Sequence, residues 1–549
     1  MIADAGAALR RLLPRRSDYA ELPRSWRRDV LAGITVGVVA LPLALAFGIS
    51  SGVGAAAGLI TAVVAGLVAA VFGGSNVQVS GPTGAMAVVL APIVSQDGAG
   101  SVALATVLAG ILVLTAGITG LGRAITFIPW PVIEGFTLGI AAIIFLQQVP
   151  AALGVSAPAG QRTLLAAWSV VVHADWSSAW RTLAVGGFVA LLMIGLPRLH
   201  RSIPESLTAV VAATGLVAFS GMPVTTIGKL PSHLPAPVVP EADLGALRTL
   251  VGAALAIAAL AAIESLLSAR VAATMSPTGP YNPDRELFGQ GLASIAAGAF
   301  GGMPATGAIA RTAVYVRSGA RTRVSAIVHS LLLLGVVYLA TGPVSAIPLS
   351  ALAGVLMVTS FRMISAQTVR KILHSTRSDA AIFALTAVVT VCFDLIEAVE
   401  IGIVFAAFFA LRTVARRSIV VREELPGPHE PGDERIALLR LEGSMFFGAA
   451  ERISSAITDA DRPEVSVVII RMSQLGMLDA TGAHTLAEIA EELEARGITV
   501  IIKGVQPEHM ALLANMGIVD ALRHENHLID SLEDAVAHAR SHVPPALQR

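Results

Sequence analysis

Phe72-Gly73-Gly74 runs on to Thr83-Gly84-Ala85-Met86-Ala87, and Phe300-Gly301-Gly302 runs on to Thr306-Gly307-Ala308-Ile309-Ala310. Each stretch has a proline shortly ahead of its Gly-Ala pair, Pro82 and Pro304, and the two threonines lie 306 minus 83, or 223, residues apart. Both stretches are embedded in long apolar sequence. A helix needs roughly 20 apolar residues to cross the hydrocarbon core of a bilayer. About fourteen stretches are read as spans: 29–50, 54–72, 81–95, 101–121, 131–149, 179–196, 203–220, 246–272, 287–301, 305–317, 324–342, 347–360, 379–396 and 398–412. The paired stretches open the third and the tenth, each third in a set of seven. Seven is odd, so the second set crosses in the opposite sense to the first. That is the pattern of an inverted repeat, in which short or Gly/Pro-interrupted helices at matching positions meet near the membrane midplane.

The bulk composition agrees with membrane residence. Of 549 residues, 54% are hydrophobic and 14% charged, against roughly 25% charged in soluble proteins. The deficit is local: residues 30–410 are nearly all apolar, whereas 421–549 read as a soluble domain. Arg10, Arg11, Arg15, Arg16, Arg24, Arg27 and Arg28 precede the first span, and Arg412, Arg416, Arg417 and Arg422 follow the last. By the positive-inside rule both termini face the cytoplasm, which an even number of crossings requires. The long basic stretch and the many later spans argue against a cleaved secretory signal. The single cysteine, Cys392, excludes an intrachain disulfide and a cysteine-based metal site. Zero net charge argues against a nucleic-acid partner. His329 and the loop histidines show no metal-ligand spacing, and no Ser/His/Asp or Walker arrangement occurs. No cofactor, metal or enzymatic chemistry is therefore expected.

The repeat suggests what the membrane domain handles. Proline presets a first helical turn, glycine lets a ligand approach the backbone, and that turn leaves amides without partners. Two helix N-termini facing one another supply roughly half a positive charge each, enough to hold an anion without a buried lysine. Taken alone, either Gly/Ala/Thr run is explained by close helix packing; their recurrence at matching positions favours the anion site. Glu264 lies deep in the eighth span, with Ser268 one turn later on its face. A carboxylate is expensive at that depth and by default marks function, here a proton carrier; the alternatives are a structural carboxylic acid bonded to a neighbouring helix and a span registered so that Glu264 lies at an interface. Glu134 suits a helix start, and Asp394, Glu397 and Glu400 suit a solvated loop. Arg311, directly after the tenth-span motif, either adds positive potential or pairs with an acid.

Beyond residue 412 the pattern changes. Residues 1–28 are read as a cytoplasmic segment, 29–412 as the transport domain, 413–433 as a linker and 434–549 as a cytoplasmic domain. Strands are expected at 436–442, 465–471 and 498–503, and helices at 448–460, 481–496, 507–516 and 529–540, which makes a small α/β domain. Asp479 and Thr481 stand where a strand hands over to a helix, as an N-cap does.

These residues resemble the SulP transporters, bacterial relatives of the SLC26 anion transporters, along essentially the whole chain. The matching stretches are Ala40-Leu41-Pro42-Leu43-Ala44, Val79-Ser80-Gly81-Pro82-Thr83, Ala262-Ile263-Glu264-Ser265-Leu266-Leu267, and Phe300-Gly301-Gly302 through Ala310-Arg311-Thr312. Residues Leu441-Glu442-Gly443, Phe446-Phe447-Gly448 and Leu478-Asp479-Ala480-Thr481-Gly482 resemble a STAS domain. The resemblance implies an all-α membrane domain of seven plus seven repeats split into core and gate, an elevator-like motion, a homodimer, and an anion between the third and tenth spans. Family substrates include sulfate, bicarbonate and C4-dicarboxylates, taken up with protons or sodium. Three departures stand out. A glutamine common in the first span is Leu43 here. Sodium-coupled bicarbonate members carry an aspartate and a threonine at the places of Glu264 and Ser268, and a threonine at Ile309. Ala480 replaces the phosphoacceptor serine of switched STAS relatives, although Thr481 keeps a hydroxyl.

The expectation is a proton-coupled anion symporter of the bacterial inner membrane. Its anion is cradled by Thr83, Gly84, Ala85 and Met86 with Thr306, Gly307, Ala308 and Ile309. Phe47 forms a wall, and Glu264 with Ser268 carries the coupling. The alternatives are an uncoupled channel or exchanger, and a membrane-tethered STAS sensor.

Overall fold

The computed structural model describes residues 12–543 apart from 124–128, 156–160, 200–203, 241–243, 277, 279, 393–400, 402–403, 406, 410, 413, 416–417, 447–449, 451–464, 523 and 525–526. Asp394, Glu397 and Glu400, most of the expected helix at 448–460 and part of the expected last span lie outside the described residues. Two compact units divide at Ile403 and Val404.

The first unit is helical. Its elements run α1 (Leu22–Ser50), α2 (Ala55–Phe72), β1 (Ser80–Gly81), α3 (Gly84–Asp97), α4 (Ser101–Ile118), α5 (Trp130–Leu153), α6 (Thr163–Val172), α7 (Trp176–Leu199) and α8 (Glu205–Ser220). They continue as α9 (Leu244–Met275), α10 (Pro283–Ala299), β2 (Thr306–Gly307), α11 (Ile309–Arg317), α12 (Val324–Leu339), α13 (Thr341–Ser345), α14 (Leu349–Met363), α15 (Ala366–Leu373) and α16 (Arg377–Cys392). Among the described residues, 7 helical stretches are long and apolar enough to cross a membrane, and shorter apolar helices stand between them.

The third and tenth spans differ from their sequence reading in an informative way. Expected to open at 81 and 305, the helices open at Gly84 and Ile309, after an extended approach, and run for only 14 and 9 residues. At 1.5 Å per residue these are about 21 and 14 Å long, short of a hydrocarbon core of about 30 Å. They are half-helices that begin inside the protein. What precedes each is strand, and β1 pairs with β2 antiparallel, Ser80 opposite Gly307 and Gly81 opposite Thr306. Backbone groups at this depth have no water to bond, so the two repeats satisfy each other.

Packing around this bridge is close. α4 and α10 cross through Gly110, Gly117, Gly291 and Gly298, where an added Cβ would fall within 3 Å of backbone atoms of the facing helix. Without a hydrophobic drive between helices in lipid, such small residues let backbones approach and gain dispersion contact. Buried Glu286 of α10 accepts hydrogen bonds from the amides of Gly74 (2.7 Å) and Ser75 (3.1 Å) and from Gln290 (2.9 Å), which anchors the chain leading into β1.

The second unit holds a five-stranded sheet in the order β3-β4-β5-β6-β7, with β3 at Ile419–Glu423, β4 at Ile436–Met445, β5 at Val467–Leu478, β6 at Thr499–Lys503 and β7 at Leu528–Ile529. β4 to β7 are parallel, and β3 is an antiparallel edge. β3 lies inside the stretch read as linker: five residues with charges at Arg422 and Glu423 lack the long apolar run of the inner strands. Helices α17 (Ala480–Ala495), α18 (Pro507–Asn515), α19 (Ile518–Ala521) and α20 (Leu532–Ser541) complete it. Alternate residues pack on opposite faces: Val468, Ile470, Val500 and Ile502 with Leu486 and Ile489 of α17, and Val467, Ile469 and Ile501 with Ala535, Val536 and Ala539 of α20. Covered on both sides, these strands read as continuous apolar runs.

Candidate functional site

The β1–β2 bridge holds the two half-helix N-termini beside each other. The Ala308 amide donates to the Val79 carbonyl (2.8 Å) and the Gly307 amide to Ser265 Oγ (3.1 Å). Gln78 Nε2 donates to the Ser265 carbonyl at 3.1 Å. A Cβ on Gly307 would meet the Gln78 amide nitrogen and Ser268 Cβ, so a larger residue there must displace the Gln78 side chain from its bond to Ser265. These bonds revise the expected cradle, because the Gly307 and Ala308 amides are spent within the protein. On the second repeat, the amides without an intrahelical acceptor are those of the first turn of α11, from Ile309 onward, where Ala308 supplies no side-chain cap. On the first, Thr83 caps α3, its Oγ accepting from the Met86 amide at 3.5 Å, which leaves the Gly84 and Ala85 amides.

Thr83 and Thr306, the corresponding residues of the two repeats, converge on one oxygen. Oε2 of Glu264, from α9, accepts from Thr83 Oγ1 at 2.9 Å and from Thr306 Oγ1 at 2.8 Å. The two hydroxyl oxygens are 3.1 Å apart. Three oxygens thus form a triangle of hydrogen-bond edges. Each hydroxyl brings one hydrogen, so an ionised Glu264 leaves one edge unfilled, and a proton on Oε2 supplies the third hydrogen. Glu264 is only partly buried, whereas Thr306 is fully buried.

Arg311, in the first turn of α11, is buried; one Nη donates to the Pro82 carbonyl, which ties α11 to the entry of α3. Its other Nη has no hydrogen-bond partner. Of the two roles weighed from the sequence, pairing with an acid is not what fixes α11: the guanidinium is held by a backbone carbonyl. Ser268, expected beside Glu264, is placed elsewhere: fully buried, it donates to Thr312 Oγ1 at 3.2 Å, and that oxygen also accepts from the Val79 amide. The i, i+4 spacing puts the two residues on one helix face, but Glu264 bonds to Thr83 and Thr306 while Ser268 bonds to Thr312.

Walls come from α1 and α5. A Cβ on Gly84 would sit 2.2 Å from Ile144 Cδ1 and 3.2 Å from Phe47 Cε1, so both side chains lean on the first turn of α3. Phe47 was named from the sequence as a wall and Ile144 was not, since an isoleucine in an apolar span carries no signal. Ala85 and Met86 are buried, and Ile309 is partly exposed. Glu134 accepts from its own helix's Trp130 Nε1 at 3.0 Å, a local role. In the soluble unit Asp479 caps α17 by accepting from the Gly482 amide at 2.8 Å, and Thr481 is exposed.

Two family models match the chain, that of the sulfate permease family over residues 26–386 and that of the STAS domain over 428–535. The chain belongs to the sulfate permease family. YvdB of Bacillus subtilis, a protein assigned to sulfate transport, is 34% identical over 503 residues, covering 90% of this chain and 94% of that one. The bicarbonate transporter BicA of Synechocystis is 31% identical over 545 residues, with 93% and 95% covered. Among solved structures, the transmembrane domain of a cyanobacterial BicA superposes with a TM-score of 0.62 at 31% identity, over 68% of this chain and 97% of that one. The murine Solute Carrier 26 family member A9 anion transporter gives a TM-score of 0.84 at 16% identity, covering 97% and 95%, which shows the shared fold. This sulfate permease family member is thus a multi-pass anion transporter with a STAS domain, not an enzyme.

Proposed function

We propose that the chain is a secondary transporter that takes up a small oxyanion together with a proton across the bacterial inner membrane, both termini lying in the cytoplasm. The observation that carries this reading is the shared oxygen of Glu264, which meets the capping threonine of α3 and the matching threonine of β2 at the anion-facing helix ends. An anion beside an ionised Glu264 meets a like charge at low dielectric, an unfavourable interaction. A proton on Oε2 removes that charge and completes the three-oxygen ring, so anion and proton favour each other's binding. Such reciprocal coupling is what symport requires. The free amides of Gly84, Ala85 and the first turn of α11 hold the anion, Arg311 adds positive potential without touching water, and Phe47 and Ile144 close one side.

Sulfate and bicarbonate are the substrates handled by the named relatives, and helix N-termini accept either. The test is uptake of labelled sulfate, with unlabelled bicarbonate and C4-dicarboxylates as competitors, into proteoliposomes under an acid-outside pH gradient. The expected result is accumulation that collapses when the gradient is dissipated. Glu264→Gln, which keeps shape but cannot cycle a proton, is expected to abolish gradient-driven accumulation while sparing anion exchange. Full accumulation by Glu264→Gln would refute the coupling role.

A further inference from the structure

The soluble unit contains a cluster that transport does not use. His538 and His542 are four residues apart on α20 and so share a face. His527, in the turn before β7, is buried against them, its ring centroid 5.3 Å from that of His538 and 5.2 Å from that of His542. The sequence reading found no metal spacing here because 527 and 538 are joined only by the fold.

We propose that His527, His538 and His542 form a three-imidazole site for a divalent transition ion, with zinc the best fit. A tetrahedral zinc site has Zn–N bonds of about 2.0–2.1 Å, which sets its ligand atoms about 3.4 Å apart. His542 Nε2 lies 3.3 Å from His538 Nε2, already one edge of that tetrahedron. One ligand nitrogen from each of the three residues lies within 4.8 Å of the others, so His527 needs to close by no more than about 1.4 Å. A plain hydrogen bond between His538 and His542 would account for their spacing but not for His527. That ring is buried against the other two, and its contact outside the cluster is with the Val500 backbone; an ion at the cluster's centre would take one lone pair from each ring.

Arg540, on the same helix, is engaged elsewhere. Arg540 is held by Asp433 (2.9 Å), Glu430 (2.6 Å) and the Pro428 carbonyl (3.2 Å). A neutral all-nitrogen set suits zinc, copper or nickel and not magnesium or calcium, which demand oxygen. Three protein ligands leave the fourth position for water or for His524, whose ring centroid is 5.6 Å from that of His527. An ion here would pin α20 to the turn that leads into the edge strand β7.

The experiment uses the full-length protein in detergent, stripped with a chelator and titrated with Zn²⁺ by calorimetry and with Co²⁺ by visible absorption. One equivalent of each is expected to bind, with the intense visible bands of tetrahedral Co²⁺ and a rise in the unfolding temperature of the soluble unit. The double variant His538→Gln/His542→Gln alters only partly exposed side chains. It is expected to lose Zn²⁺ affinity by roughly a hundredfold or more while its metal-free unfolding temperature stays that of the parent. His538→Gln alone serves as the comparison should the double variant unfold. Absence of stoichiometric Zn²⁺ binding, binding retained by a folded variant, or equal binding of Mg²⁺ each overturns the proposal.

Discussion

Substituting Gly84 by alanine tests the anion cradle without touching a charge. The new Cβ would lie 2.2 Å from Ile144 Cδ1 and 3.2 Å from Phe47 Cε1, whereas carbon pairs are best separated by about 3.5–4.0 Å. Ile144 must therefore retreat by roughly 1.5 Å, and being the free end of a flexible side chain it can. Gly84 is helical, where alanine is favoured by about 1 kcal/mol over glycine, so the fold is not weakened. The strain of overpacking, about 1–3 kcal/mol, falls instead on the anion-bound form, because the methyl and the displaced Ile144 crowd the amides an anion would use. At about 1.4 kcal/mol per factor of ten, the KM for labelled sulfate or bicarbonate in proteoliposomes should rise roughly 5- to 150-fold. Ile144→Val removes the clashing Cδ1, and the double variant Gly84→Ala/Ile144→Val should recover most of the loss, a coupling that independent sites do not show. A KM within twofold of the parent for Gly84→Ala, or no recovery in the double variant, would refute the placement of the anion against the first turn of α3.

Three further outcomes follow from other contacts. Thr306→Val takes one donor from Glu264; a hydrogen bond to a charged group contributes about 1.5–3 kcal/mol, so initial uptake rates should fall at least roughly tenfold while Thr306→Ser retains transport. A Cβ on Gly291 would lie 2.4 Å from the Leu114 nitrogen and 2.7 Å from the Gly110 oxygen, backbone atoms that cannot rotate away. Gly291→Ala should lower the thermal unfolding temperature in detergent by several degrees, and Gly215→Ala, with nothing within 4 Å, should leave it unchanged. In the soluble unit, hydrogen bonds from Arg540 hold the Asp433 carboxyl below its ordinary value of 3.8. A lowered value contributes stability that is present above the unfolded-state pKa and lost as pH falls through the folded one. Asp433→Asn should therefore lower the calorimetric transition of that unit at pH 7 and flatten its acid dependence below about pH 4.

What was legible in the sequence was what repeats or what is out of place. The Thr-Gly-Ala pair and Glu264 were both visible, the first through recurrence and the second because a carboxylate in an apolar run has few reasons to be there. The structure joins them at one oxygen, which spacing could not show, since Thr83 and Glu264 are 181 residues apart. The β1–β2 bridge was not legible: two residues are too few to display the period of a strand, and the apolar run around them looks like helix. That miss placed both helix starts three or four residues early and assigned to the anion two amides that are spent inside the protein, that of Gly307 on Ser265 Oγ and that of Ala308 on the Val79 carbonyl. Ser268 was paired with Glu264 from helical periodicity, which gives the face but not the partner, and Thr312 proved to be that partner. Arg311 was read as adding positive potential or pairing with an acid, and its bond to the Pro82 carbonyl is a partner that sequence spacing could not name. The histidine cluster needed the fold of the soluble unit to bring a turn against a helix.

A binding site made from main-chain amides has a particular relation to mutation. Substituting residues at the amides of α3 and α11 leaves those amides in place, so such changes act on an anion only through the bulk they add. The side chains that lean over them, Phe47 and Ile144, are free to change without unfolding the β1–β2 bridge. Substrate choice is thereby separated from substrate capture. A library confined to positions 47 and 144 should re-specify which anion travels while the machinery that recognises an anion at all stays intact.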